Sequence, residues 1–336
     1  MTQNTPSSGS SWSRQRRIHI HDVAMRDGLQ IEPIFVPTEE KIALINALAQ
    51  TGVSKIEATS FTSPKAIPAL RDAEEVMKGI QRVPGVKYVA LVPNLRGAQR
   101  ALECKVDEIN LVMSVSETHN LANLRMTREQ SARALLQIID ETGDQADVNI
   151  SLSTAFGCPM EGIVDAEEVL KLGDRFAERG ATGITLCDTT GMANPAQVEA
   201  LCAGLAQRWP GLELTLHFHN TRGMGLANVI AGLSTGIDRY DASLAGLGGC
   251  PYAPGATGNI CTEDLVHMLE SMGMDTGTNL DALVECARQM EKMVGHEVPG
   301  QVMKAGAWDK RFPIPPDLDQ TRERALLREL EANTAR

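Results

Sequence analysis

The stretch ELTLHFHNTRGMG, residues 213–225, places His217 and His219 one residue apart at the end of an apolar alternating run. Side chains alternate along a strand, so Leu214, Leu216 and Phe218 share one face while Thr215, His217 and His219 share the other. Two imidazoles this close repel one another when both are protonated, and leaving both unpaired in an apolar interior is costly. A divalent cation resolves both problems, because neutral imidazole is a common ligand and a bound cation disfavours its protonation. The plainer alternative is a pair of histidines bonded to buried backbone. The position of the pair at a strand end, with Asp27 and Asn259 expected at similar height, favours the cation. Two imidazoles, a carboxylate and an amide oxygen form a mixed set suited to Mg²⁺ or Mn²⁺ rather than to a thiolate zinc cage, with positions left open for substrate oxygens.

Three further residues extend this chemistry. Arg26 stands beside Asp27 in RDGLQ, residues 26–30. It is either a structural partner for that acid or a fixed cation facing the negative charge that develops on an enolate oxygen. Glu57, in SKIEATS, reads as an inward carboxylate that orients the guanidinium or the cation's ligands. Cys250 lies in the glycine-rich stretch AGLGGCPYAPGATGNICTEDL, residues 245–265, which is too rich in glycine and proline to be a helix or strand interior and reads as a long loop. A thiol on such a loop can be carried to a substrate, donate a proton to a carbanion and close the site to water. Cys104, Cys202 and Cys286, in helix-like stretches, read as inert buried thiols.

Eight strand-like segments must position these groups; they start near Ile18, Ser54, Lys87, Glu108, Asp147, Thr182, Glu213 and Asp238. Helical patterns separate them. In TEEKIALINALAQTG, Thr38 is the expected cap, Glu39 and Glu40 suit the positive helix start, and Ile42, Ile45, Leu48 and Ala49 form an apolar stripe. Eight strand–helix units over roughly 250 residues predict a closed α/β (β/α)8 TIM barrel, in which catalytic groups collect at the carboxyl ends of the strands. A doubly wound open sheet would call for a GxGxxG turn after the first strand, which instead runs into RDGLQ. In the barrel, Arg26 and Asp27 end the first strand, Glu57 lies on the second, Thr154 ends the fifth and Asp188 the sixth. Gln30, Thr154 and Asp188 are the expected substrate-binding residues alongside Arg26. The predicted organisation is a disordered tail over 1–17, a barrel over 18–280 and a helical extension over 281–336.

With 43% hydrophobic residues the 336-residue chain reads as globular, and its formal charge of -11 argues against nucleic-acid binding, which needs clustered Lys and Arg. No apolar run approaches the roughly 18 residues of a membrane span. Seven cysteines, an odd number without a regular framework, point to free thiols in a reducing compartment. The first 17 residues faintly resemble a transit peptide but lack an amphipathic face, so the cytoplasm is the expected location, with the mitochondrion as the alternative.

RDGLQ at 26–30, IEATSF at 56–61, PNLRG at 93–97, GCPMEG at 157–162, DTTG at 188–191, HFHNT at 217–221 and GLGGCPYAPGATGNICTEDLV at 246–266 together resemble the 3-hydroxy-3-methylglutaryl-CoA lyases, over about residues 18–295. RDGxQ with HxH marks the wider superfamily of metal-dependent barrel lyases and Claisen-type synthases, and the cysteine-bearing glycine loop marks the lyase branch. The resemblance implies that Arg26 stabilises a thioester enolate, that Asp27, His217, His219 and Asn259 hold the metal, that Cys250 is the loop cysteine and that Glu57 is a supporting acid. It further implies cleavage of an acyl-CoA into acetyl-CoA and acetoacetate, with His217 or a ligand carboxylate as base, a place in leucine degradation and a homodimer or higher homo-oligomer. The alternatives are a lyase for a related 3-hydroxyacyl-CoA, such as citramalyl-CoA, and a condensing synthase. The rim departs from the family pattern at Ile31, Pro33, Asn220, Arg222 and Met224, and the fourth-strand loop carries His119, Asn120, Asn123 and Arg125, changes that reshape acyl specificity.

Overall fold

Eight strands form from the alternating segments: β1 His19–Asp22, β2 Lys55–Ser60, β3 Lys87–Leu91, β4 Glu108–Ser114, β5 Asp147–Ser153, β6 Gly183–Asp188, β7 Glu213–Phe218 and β8 Arg239–Ala242. They pair in parallel in chain order, and β8 closes on β1, giving a (β/α)8 barrel with helices between the strands. The structure, a computed structural model, describes residues 16–249 and 258–334. Among the described residues no helix is long and apolar enough to cross a membrane.

Outward-facing Ile20, Ile56, Ile109, Leu111, Ile150, Leu152, Leu216 and Phe218 are buried under the surrounding helices, where β-branched and large apolar side chains suit a strand packed on both faces. Local signals set the helix starts. Asn94 caps the helix Leu95–Glu103 by accepting from Gly97 N–H at 3.0 Å, and Thr127 with Gln130 closes a capping box on Arg128–Thr142. Thr38 departs from its expected role. It is the first residue of the helix Thr38–Ala49, after Pro37, and its hydroxyl donates to Asp72 Oδ2 at 2.8 Å instead of capping.

The lumen is polar and layered. At its amino end lie the first residues of five strands: Lys55 Nζ donates to both Glu108 oxygens at 2.7 Å, and Lys87 Nζ reaches Asp147 at 2.8 Å, Glu108 at 3.2 Å and Glu213 at 3.3 Å. Above them Asn149 Nδ2 donates to Asn110 Oδ1 at 3.0 Å and to Thr185 Oγ1 at 2.9 Å. Asn110 Nδ2 in turn donates to Glu57 Oε1 at 2.8 Å, which carries the polar column to the mouth.

The compact unit runs to Ala305, beyond the boundary at 280 expected from the sequence. The reason is the helix Leu280–Val294, which buries Leu283, Cys286, Ala287, Met290 and Val294 against the helices Thr38–Ala49 and Thr262–Ser271. A second unit, Gly306–Arg336, contains the helix Leu318–Thr334, none of whose residues is buried.

Candidate active site

β1 ends at Asp22, and the chain then winds through a single π-helical turn, Ala24–Gly28, that carries Arg26 and Asp27. The sequence places these two residues at the strand end; the turn lies just beyond it because the Asp22 carboxylate redirects the backbone. Asp22 accepts from Ala24 N–H at 2.9 Å, Leu244 N–H at 2.9 Å and the Thr262 hydroxyl at 2.6 Å, tying the turn to the exit of β8.

Arg26 is buried and held from two sides: Nε donates to Glu57 Oε2 at 2.6 Å and Nη1 to Asp27 Oδ1 at 2.6 Å. Burial opposes its charge, yet the two carboxylates hold the guanidinium above its usual value. Asp27 Oδ1 also accepts from Gln30 Nε2 at 2.9 Å, and Oδ2 accepts from Asn259 Nδ2 at 2.8 Å. Burial likewise opposes ionisation of Asp27, but Arg26 and the two imidazoles outweigh it and hold the carboxyl below its ordinary value.

His217 and His219 face the same side, with ring centroids 5.2 Å apart, and His219 Nε2 lies 3.9 Å from Asp27 Oδ2. One ligand atom from each of Asp27, His217 and His219 fits within 4.8 Å of the others, and all three residues are buried. Burial first, and His217 second, depress His219 to about 3, so it is a neutral imidazole at ordinary pH. Its Nδ1 is buried without a hydrogen-bond partner among the described residues. Burial opposes the charge of His217, but the hydrogen bond and charge of Asp241 outweigh it and hold this imidazole above its ordinary value. A neutral His219 and a second imidazole beside an ionised carboxylate, with a buried nitrogen left unpartnered among the described residues, are the donor chemistry of a divalent cation site. Asn259 is brought to the same place by a backbone bridge to His219. Its amide nitrogen is committed to Asp27 and to the Leu247 carbonyl, which leaves Oδ1 as its atom able to ligate. The chain reaches Asn259 through Gly258 at φ +103°, where a Cβ would strike the carbonyl oxygens of Gly246 and Gly248.

Arg26, Asp27, His217 and His219 line a cavity of about 450 Å³ together with the apolar Ile67, Leu91, Val92, Leu124 and Leu135. Gln30 lines it too. Thr154 and Asp188 do not. Thr154 accepts from Ser116 N–H and donates to the Ser153 carbonyl, so backbone takes its hydroxyl; Asp188 Oδ1 accepts from Met192 and Ala193 N–H, while its buried Oδ2 has no partner among the described residues. Cys187 and Thr189 line the cavity without having been singled out as site residues, and the inward phase of β6 is the signal for Cys187; His119 and Asn123, from the fourth-strand loop read as rim residues, line it too. His119 Nδ1 bonds Ser114 Oγ at 2.7 Å. Ile31 reaches the cavity, whereas Arg222 donates to the Thr190 and Gly191 carbonyls and Asn220 accepts from Gly225 N–H. Cys250 lies outside the described residues; Gly249, just before it, lines the cavity.

A closed (β/α)8 barrel with a buried two-histidine, one-carboxylate cluster beside a fixed guanidinium at its mouth defines a barrel enzyme of the metal-assisted class. The chain belongs to the HMGL-like family, which matches residues 17–290. It is 47% identical over 290 residues to a hydroxymethylglutaryl-CoA lyase of Bacillus subtilis, covering 85% of this chain and 96% of that one. It is 38% identical over 301 residues to the mitochondrial hydroxymethylglutaryl-CoA lyase of Homo sapiens, covering 89% and 92%. A solved HMG-CoA lyase from Acinetobacter baumannii, in complex with coenzyme A and 3-methylmalate, superposes with a TM-score of 0.87 at 50% identity, covering 91% of this chain and all of that one. These relatives are carbon–carbon lyases.

Proposed function

We propose that the chain cleaves 3-hydroxy-3-methylglutaryl-CoA by a retro-Claisen reaction into acetyl-CoA and acetoacetate. The observation that carries this reading is the convergence, in the lining of a single cavity, of the Asp27–His217–His219 cluster and the doubly held Arg26. The identity to named lyases over most of the chain supports the same substrate. Asp27, His217, His219 and the amide oxygen of Asn259 would hold a divalent cation, Mg²⁺ or Mn²⁺, which would supply Lewis-acid polarisation of the substrate's tertiary hydroxyl. The hydroxyl proton passes to a carboxylate of the cluster, since Nδ1 of His217 faces Asp241 and its other nitrogen is committed to the cation. The carbon–carbon bond then breaks, the hydroxyl-bearing carbon becomes the ketone of acetoacetate, and the electron pair moves onto the thioester as an enolate. Arg26 faces the enolate oxygen, while Glu57 and Asp27 keep the guanidinium from turning away. Cys250 returns a proton to the enolate carbon, giving acetyl-CoA. A cytoplasmic place accords with the cysteines, since the six among the described residues are free thiols.

The test uses the full chain stripped of metal. Addition of Mg²⁺ or Mn²⁺ with 3-hydroxy-3-methylglutaryl-CoA is expected to yield equal amounts of acetyl-CoA and acetoacetate, at a higher kcat/KM than citramalyl-CoA. No product with either cation overturns the proposal, and preference for citramalyl-CoA overturns the substrate.

A further inference from the structure

We propose that Asp241 is a positioning residue: it fixes the tautomer and ring plane of His217 so that Nε2 is the nitrogen offered to a divalent cation, and His21 anchors Asp241 from the far side. The inference rests on the cation site proposed above and assigns the residues that preorganise it.

The strand register builds this arrangement. β8 lies between β7 and β1, and Asp241 is paired directly with His217 on one neighbour and His21 on the other. Three lumen-facing side chains therefore stand in a row at one height. His217 Nδ1 lies 3.3 Å from Asp241 Oδ2, and His21 Nδ1 lies 3.2 Å from Asp241 Oδ1. An ionised carboxylate only accepts, so each Nδ1 must carry the hydrogen; in a neutral imidazole that leaves Nε2 with the lone pair. For His217, whose Nδ1 is turned to Asp241, Nε2 is then the nitrogen left for the cluster with Asp27 and His219.

His219 provides the internal contrast. Its Nδ1 is buried and has no hydrogen-bond partner among the described residues, so none of them fixes its tautomer as Asp241 fixes that of His217. One imidazole of the pair is oriented before a cation arrives, and the other is oriented by the cation itself. Loss of a carboxylate behind a ligating histidine commonly costs 10- to 100-fold in metal affinity. An asparagine at 241 presents one donor and one acceptor edge, so it cannot accept from both imidazoles and forces one of them into the wrong tautomer.

The experiment measures Mn²⁺ binding to the metal-free full chain without substrate, by the electron paramagnetic resonance of free Mn²⁺. Asp241→Asn is expected to weaken binding about 10- to 100-fold. At saturating Mn²⁺ its kcat should recover to within a few-fold of the parent, and Asp241→Glu should regain part of the affinity. His21→Phe should lose less than Asp241→Asn. If the parent chain binds no Mn²⁺, the cation site itself falls and this proposal with it. If the parent binds and Asp241→Asn binds equally well, or loses only kcat, the positioning role alone is overturned. Should Asp241→Asn fail to fold, ¹⁵N-histidine resonances of the parent at pH 9 decide: a neutral His217 protonated on Nδ1 supports the role, and one protonated on Nε2 overturns it.

Discussion

The two ends of the barrel lumen treat buried charge in opposite ways. At the amino end, Lys55 and Lys87 are matched by Glu108, Asp147 and Glu213, and the charges satisfy one another. At the carboxyl end Arg26 is matched, but the Asp27–His217–His219 cluster opens on a cavity and leaves a buried nitrogen without a partner among the described residues. Neither buried charge nor a missing partner marks an active site by itself; a missing partner in a cluster of ligating groups that opens on a cavity does.

Substitutions at each end test that division. The largest effect belongs to the mouth: Arg26→Gln is expected to lower kcat about 10³-fold, as for removal of a preorganised donor to a developing oxyanion. Mn²⁺ affinity should stay within a few-fold, and a near-normal rate would break the assignment of Arg26 to the enolate. At the other end, Lys55→Met removes the cation bonded to both Glu108 oxygens and should cost about 3 kcal/mol of stability, read from the urea midpoint. Its KM should not move; a raised KM with unchanged stability would show that the two ends are not separable. Cys250→Ser should slow turnover about 100-fold with the urea midpoint unchanged, as for loss of a general acid; full activity would remove the thiol from the reaction.

The smallest effect is a pH slope. Burial, aided by Asp264, pushes Glu263 up to about 8, and its Oε1 is buried without a partner. A carboxyl raised on folding stabilises the protein fully below its unfolded value near 4.5, and that contribution is lost as pH rises towards 8. One proton sets the limit at about 1.4 kcal/mol per pH unit. The melting temperature of the parent should thus fall more steeply between pH 5 and 8 than that of Glu263→Gln, and parallel curves would place Glu263 among satisfied charges like those of the amino end.

The barrel is legible in the chain because each strand is short, apolar on its outward phase and bounded by turn formers, and because the HxH pair shows its facing by alternation alone. The π-helical turn of Ala24–Gly28 is not legible, since it depends on Asp22 accepting from Leu244 and Thr262, more than 200 residues away. The failed cap at Thr38 has the same origin: a distant Asp72 takes the hydroxyl. Thr154 and Asp188 sit at strand ends where a barrel collects its chemistry, yet strand position does not reveal that backbone takes the Thr154 hydroxyl and one oxygen of Asp188. Asp241 carried a readable signal, an acid in the inward phase of β8, but its importance appears only when the register sets it beside His217.

Asn259 and Asp27 touch across 232 positions of sequence, one arriving after the last strand and the other just after the first. A chain still emerging from the ribosome can hold both imidazoles of β7 and yet be unable to complete this corner, because the amide has not been made. Occupancy of the corner therefore works as a rivet on the seam between β8 and β1, and as a report that the last strand has been made and the ring has closed.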